Sequence, residues 1–310
     1  MTRRICICSA QVPFVRGGAE NLAESLRDEL VRRGFPAEIV TLPFNWSSRT
    51  RILKSALAWR MIDLTESVEG PIDLVIATRF PSYVVRHPNK VVWLVHQLRQ
   101  IYDLKGTRYS DFGDAPEDEN TAELVRGIDR RCLSEARRLF AISRNTADRL
   151  ERFNDLRAES LYPPPKLGDL CRPGPTGDYV LGVGRLDAMK RFDLLIRAMD
   201  RTSSPVRCKI AGAGPERGSL EALIEKRGLG DRVELLGWVE DDRLAELYSG
   251  SLGVYFAPWD EDYGYITVEA FKSAKPVLTT DDAGAVLEFV EDGVNGFVCE
   301  ASSPRQLGRR

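Results

Sequence analysis

The sequence predicts an α/β protein built from two doubly wound domains. Short apolar runs alternate with stretches of 3.6-residue periodicity along the whole chain, which is the pattern of parallel sheets covered by helices. A proline- and glycine-rich stretch interrupts that alternation near the middle, after which the pattern starts again. The length of 310 residues exceeds one ordinary core and suits two.

In the first half the expected strands are Ile5–Ala10, Ala37–Leu42, Ile72–Thr78, Val91–Val95 and Leu139–Ile142. Ala19, Leu22, Ala23, Leu26 and Leu30 fall on one face of a first helix. Asp103–Asn120 is polar, acidic and without periodicity, and reads as a mobile loop. From Pro163 to Gly177 the chain carries five prolines and three glycines, the best interdomain linker it has. The expected domains are therefore residues 1–165 and 166–310. The second half continues with strands Tyr179–Val183, Val206–Ala211, Val233–Leu236, Gly253–Phe256 and Pro276–Thr279. Between them lie helices with Phe192, Leu195, Ile196 and Met199 on one face, around Leu220–Ile224, over Arg243–Tyr248 and near Val268–Ala274. Sheets of this type bind ligands beyond the carboxyl ends of their strands, so two facing halves would enclose a cleft.

The 44 basic and 46 acidic side chains nearly cancel, so no overall field favours nucleic acid as a partner. None of the six cysteines forms a C-x-x-C pair, and two histidines are too few for a zinc set, which points to reduced cytosolic thiols. The basic start, Thr2-Arg-Arg4, precedes an apolar stretch too short for a signal peptide, and no run reaches the roughly 20 apolar residues of a membrane span. A cytoplasmic protein is expected. Arg49–Met61 mixes Arg49, Arg51, Lys54 and Arg60 with Ile52, Leu53, Leu57 and Trp59. It reads either as a helix packed on the sheet with its cations outward, or as an interfacial helix that would place the protein peripherally on the inner face of the membrane.

Two segments carry chemistry. In Gly182-Val-Gly-Arg185-Leu-Asp-Ala-Met-Lys190-Arg191 a strand ends, glycines turn the chain, and Arg185 and Lys190 precede the next helix. A diphosphate asks for a forked guanidinium, a nearby ammonium and a close backbone, although a solvated basic loop would look similar. In Phe256-Ala-Pro-Trp-Asp-Glu261-Asp-Tyr-Gly264-Tyr-Ile-Thr-Val-Glu269, two glutamates flank a strand-to-helix turn. The N–H groups of Gly264, Tyr265 and Ile266 would sit at a helix N-terminus, an anion site of about half a positive charge. Glu269 would lie about one turn in, placed for vicinal ribose hydroxyls. Asp260-Glu-Asp262 and Asp281-Asp282 read as loop or cap acids rather than a metal site.

These segments, with Lys275-Pro-Val-Leu-Thr, Glu291-Asp-Gly-Val-Asn-Gly-Phe297, Ile210-Ala-Gly-Ala-Gly-Pro215, Leu236-Gly-Trp-Val239, Ile142-Ser-Arg-Asn-Thr146 and Gly17-Gly-Ala-Glu20, closely resemble family 4 of the retaining glycosyltransferases. The resemblance is nearly continuous in the C-terminal half and confined to short islands in the N-terminal half. It implies the GT-B fold, two facing Rossmann-like domains with an interdomain cleft, and transfer from a nucleotide-sugar donor to a glycan, lipid-linked or small-molecule hydroxyl. The donor is a substrate, and neither cofactor nor metal is implied. By the same resemblance Arg185 and Lys190 hold the diphosphate, Glu269 the ribose, Glu261 the sugar hydroxyls, and Val239 the base through its backbone. The Gly17-Gly18 turn would close over the phosphates, and His96 would stand at the family's active-site position. Read from the residues alone, His96 is rather a satisfied core histidine, and His87 a surface-loop residue. Family members continue further with helices that cross back onto the first domain. This chain stops at Arg310, so those helices are expected to be absent, supplied elsewhere or cut away. A nucleotide-sugar epimerase and a catalytically silent nucleotide-sugar-binding module are the rivals. A nicotinamide dehydrogenase fits less well, because Gly212-Ala-Gly214 lacks the third glycine at the required spacing.

Overall fold

The computed structural model describes residues 3–301, 303, 307 and 308; Arg310 lies outside them. The chain divides into two compact units, Met1–Pro163 and Pro164–Arg310.

Unit 1 runs β1 (Ile5–Gln11), α1 (Gly18–Arg32), β2 (Ala37–Pro43), α2 (Arg49–Met61), the short pair β3 (Glu66–Ser67) and β4 (Gly70–Pro71), β5 (Leu74–Arg79), β6 (Lys90–His96), α3 (Pro116–Ser134), β7 (Arg138–Ala141), α4 (Arg144–Asn154) and β8 (Glu159–Ser160). Its main sheet is parallel, in the order β2-β1-β5-β6-β7-β8. Ile7 and Cys8, on opposite faces of β1, are both fully buried, as a strand covered on two sides requires. In α2 it is Ile52, Ala56 and Trp59 that turn inward, while Arg60 pairs with Glu135 at 2.6 Å. The helix is packed on its own unit, and the apolar side chains that would have served a membrane interface are largely spent on the core.

The polar segment Asp103–Asn120 corrects the expectation of a mobile loop. Leu104 and Phe112 are buried in it, the Arg49 guanidinium lies 3.8 Å over the Phe112 ring, and Arg49 pairs with Asp118 at 2.5 Å. From Pro116 onward the segment is already helix. Proline opens α3, and Glu117, Asp118 and Glu119 occupy its first turn, where the helix dipole favours acids. His87 is likewise no surface residue. It is buried, with Nε2 3.0 Å from the Ile72 carbonyl and Nδ1 accepting from the Asn89 N–H at 3.0 Å.

Unit 2 runs β9 (Tyr179–Val183), α5 (Phe192–Met199), β10 (Arg207–Ala211), α6 (Arg217–Lys226), β11 (Val233–Gly237), α7 (Asp241–Ser249), β12 (Gly253–Tyr255), α8 (Tyr265–Lys272), β13 (Val277–Thr280) and β14 (Gly296–Cys299). The sheet is again parallel, in the order β11-β10-β9-β12-β13-β14. Alternate residues feed two separate cores. Val254 and Phe256 pack with α7, while Tyr255 between them packs with α5 and α6. The linker belongs to this unit. Leu167 and Cys171 join its core, and Lys272 and Lys275 donate to the carbonyls of Gly168 at 2.8 Å and Gly174 at 3.1 Å. The six cysteines form no disulfide among the described residues. No helix among them is long and apolar enough to cross a membrane.

Candidate functional site

The strand order of unit 2 reverses between β9 and β12, and a crevice opens where the chain leaves such neighbours in opposite directions. The loop after β9 carries Arg185 and Lys190, and the loop after β12 carries Glu261 and Gly264. Sequence spacing of 71 residues thus becomes direct contact: Lys190 Nζ donates to Glu261 Oε2 at 2.5 Å. Both side chains are about one-fifth exposed, at 20 and 21%. The ammonium also stands 5.3 Å from the centre of the Phe256 ring, a cation–π distance. Arg185, in the same loop as Lys190, is exposed.

The backbone shapes this place. A Cβ on Gly212 would fall 1.8 Å from the Gly184 carbonyl oxygen, so the loops after β10 and β9 meet main chain to main chain. Asp187 caps the short turn Ala188–Lys190 by accepting from the amides of Met189 and Lys190 at 3.1 and 3.2 Å. Gly264, with φ +84°, caps α8, and a Cβ there would meet the Phe256 ring at 2.9 Å. Thr267 N–H returns to the Gly264 carbonyl at 3.0 Å, which leaves the amides of Gly264, Tyr265 and Ile266 as those without an intrahelical acceptor. Glu261 is fixed by its main chain, its N–H to Ala283 and its carbonyl from Ala285 at 3.2 and 2.9 Å.

Arg191, next to Lys190 in sequence, goes the other way. Its left-handed backbone, φ 52°, turns the guanidinium into the protein. There it donates to the carbonyls of Ala257 and Pro258 at 2.8 Å each, to Thr280 Oγ1 at 2.7 Å, and to the Asp282 carboxylate at 2.7 and 2.8 Å. One buried cation ties the loops after β9, β12 and β13 together beneath the site. The sequence offered only a Lys-Arg pair and an Asp-Asp pair as signals. Asp281, the other acid, accepts from the Ala301 N–H at 2.9 Å.

Glu269 has other partners than Glu261. It is buried in α8, with Oε2 accepting from the Tyr248 hydroxyl at 2.9 Å and a second bond from the Leu167 N–H. Burial pushes its carboxyl up to about 7, more than these donors pull it down. Val239 follows β11 and packs, half-buried, on the same core.

In unit 1 the order reverses between β1 and β5. Gly17 and Gly18 stand there, but not as a turn. Gly17 is extended, φ −165°, and caps α1, its N–H donating to Glu20 Oε2 at 2.9 Å. Glu20 pairs with Arg79, the last residue of β5, whose Nε donates to the Ala10 carbonyl at 3.0 Å. His96, the last residue of β6, is paired in register with Arg79, and its Nδ1 lies 2.7 Å from the Gln97 carbonyl. A cavity of about 550 Å³, lined by Arg60, Arg86, His87, Arg131 and Glu135 among others, opens at the opposite, amino-terminal edge of the sheet, away from these residues.

Residues 173–310 match the family described as "Glycosyl transferases group 1". Over 262 residues the chain is 28% identical to the D-inositol 3-phosphate glycosyltransferase of Streptomyces griseus, covering 70% of this chain and 54% of that one. Over 122 residues it is 34% identical to the alpha-D-kanosaminyltransferase of Streptomyces kanamyceticus, covering 38% of this chain and 31% of that one. The chain thus spans about half or less of the length of these relatives. Among solved structures, HepE of Anabaena in complex with UDP and glucose aligns with a TM-score of 0.70 at 20% identity, covering 99% of this chain and 88% of that one. Sucrose-phosphate synthase of Thermosynechococcus elongatus aligns at 0.78 and 17%, with the same coverages. The fold is GT-B, with one Rossmann-like domain in each unit.

Proposed function

We propose that the protein is a retaining glycosyltransferase that moves a sugar from a UDP- or GDP-linked donor to a hydroxyl acceptor without a metal ion. The contact of Lys190 with Glu261 at the strand reversal carries this reading. An ion pair that keeps about one-fifth of its surface in water can exchange partners. An arriving diphosphate takes Lys190, with Arg185 and the first amides of α8 completing its seat. Glu261 is released at that moment and becomes an acceptor for hydroxyls of the transferred sugar. As the bond from the anomeric carbon to the diphosphate breaks, charge builds on the leaving oxygens next to these cations, where a metal would otherwise serve. Glu269 receives the ribose hydroxyls and the Val239 backbone the base. His96 and the N-terminus of α1 are the candidates that unit 1 offers. The names of the relatives and the UDP and glucose bound to HepE support a donor of this class. A glycan, a lipid-linked or a small hydroxyl compound is the acceptor.

The test compares Glu261→Gln with Glu269→Gln, measuring UDP and GDP affinity and donor consumption in EDTA. Glu269→Gln should weaken nucleotide binding about tenfold, the loss of roughly one good hydrogen bond. Glu261→Gln should leave it nearly intact and lower turnover. Equal losses of nucleotide affinity would remove Glu261 from the sugar, and turnover that vanishes in EDTA and returns with manganese would overturn metal independence.

A further inference from the structure

Behind His96, unit 1 buries a continuous chain of polar side chains that the proposed reaction does not use. Asp129 of α3 is fully buried, and the hydroxyls of Tyr83 and Tyr102 donate to its two oxygens at 2.8 Å each. The Tyr102 oxygen accepts in turn from Asn154 Nδ2 at 3.1 Å, and Asn154 Oδ1 accepts from Gln97 Nε2 at 2.6 Å. Gln97 follows the last residue of β6, is fully buried, and its Oε1 has no partner among the described residues, so its anchoring runs through Nε2. The carbonyl of this anchored residue is the one that meets His96 Nδ1 at 2.7 Å.

A carbonyl oxygen only accepts, so Nδ1 carries the hydrogen, and in the neutral ring Nε2 carries the lone pair. His87 is the mirror case. Its Nδ1 accepts from the Asn89 N–H, which puts the hydrogen on Nε2, facing the Ile72 carbonyl. The structure assigns Gln97, Asn154, Tyr102 and Asp129 as positioning residues that hold His96 in its Nδ1–H form, making Nε2 the accepting nitrogen of a site histidine. The part about the site rests on the functional reading above; the tautomer rests on the geometry alone.

With only two histidines in the chain, each ring can be followed by long-range proton–nitrogen correlation on uniformly labelled full-length protein, at a pH well above the ordinary histidine value of about 6.5. The expected spectrum has His96 in the Nδ1–H form and His87 in the Nε2–H form. In Asn154→Ala, His96 should move toward the Nε2–H form while His87 stays unchanged and reports an intact fold. Donor turnover should fall about tenfold or more as the ring loses its set orientation, with UDP and GDP affinity changing less than about twofold. Should Asn154→Ala disturb His87 as well, Tyr102→Phe, which removes one hydroxyl from the chain, decides by the same criterion. A wild-type His96 in the Nε2–H form, or a His96 spectrum that neither variant changes, overturns the assignment. Full turnover in His96→Ala would instead overturn the role of His96 in the reaction and leave the tautomer standing.

Discussion

At the strand reversal of unit 1, Arg79 and Glu20 form a pair whose side chains are 12 and 9% exposed; at that of unit 2, Lys190 and Glu261 are 20 and 21% exposed. The two pairs occupy equivalent places in doubly wound sheets and differ in their surroundings. Glu20 also accepts from the amide that caps α1, and Arg79 also donates to the end of β1, so the unit 1 pair fastens helix to sheet. Lys190 stands 5.3 Å from the centre of the Phe256 ring, in the loop that also carries exposed Arg185. Anchoring of the kind Arg79 has is given in unit 2 to Arg191, and that leaves Lys190 able to change partners. Comparable topology thus yields a structural clamp in one unit and, in the function proposed above, an anion seat in the other.

The largest expected effect would break this comparison if it failed. Arg79→Ala should destabilise unit 1 by about 3–5 kcal/mol, because it strands a buried carboxylate. Lys190→Ala should cost less, about 1 kcal/mol of stability, because Glu261 keeps about one-fifth of its surface in water and is not stranded. Urea unfolding followed by tryptophan fluorescence measures both, and equal costs would mean that the two pairs do the same job.

A second contrast concerns buried carboxyls. Asp129 in unit 1 and Glu269 in unit 2 both receive tyrosine hydroxyls, and burial pushes both up to about 7 from 3.8 and 4.5. The folded state therefore keeps protons that the unfolded chain has already released. The stability this contributes is complete below the unfolded values and is lost as pH rises through about 7. The change is on the order of 3–4 kcal/mol for each group. Unfolding free energies from about pH 4 to pH 7.5 should fall with pH, and Asp129→Asn and Glu269→Gln should each flatten the slope. A slope that both variants leave unchanged would mean that neither carboxyl keeps its proton.

Much of this was legible in the sequence, for identifiable reasons. Strands covered on both faces are unbroken apolar runs, so Ile5–Ala10 and Tyr179–Val183 announced themselves within a residue of their ends. The helix α3 did not, because its inward face carries Asp129 among Ala122, Val125 and Cys132, and a carboxyl at a core position breaks the apolar period. Arg185, Lys190, Glu261 and Gly264 could be read from local spacing and resemblance. The pairing of Lys190 with Glu261 could not, since it exists only once β9 and β12 are neighbours. Nor could the parting of Lys190 and Arg191, which one left-handed residue decides. Glu20 with Arg79 and the chain from Asp129 to Gln97 left no local signal at all, being made of contacts between distant segments.

The central claim is that the cations at the reversal point of unit 2 are the seat of a nucleotide diphosphate. Isothermal titration of the wild-type chain, Arg185→Ala and Lys190→Ala with UDP and with GDP tests it most directly. Each substitution should cost about 1.5–3 kcal/mol of affinity for whichever nucleotide binds, the range for a hydrogen bond to a charged group. Unchanged affinity in both variants would contradict the account and return Arg185 and Lys190 to an ordinary solvated loop.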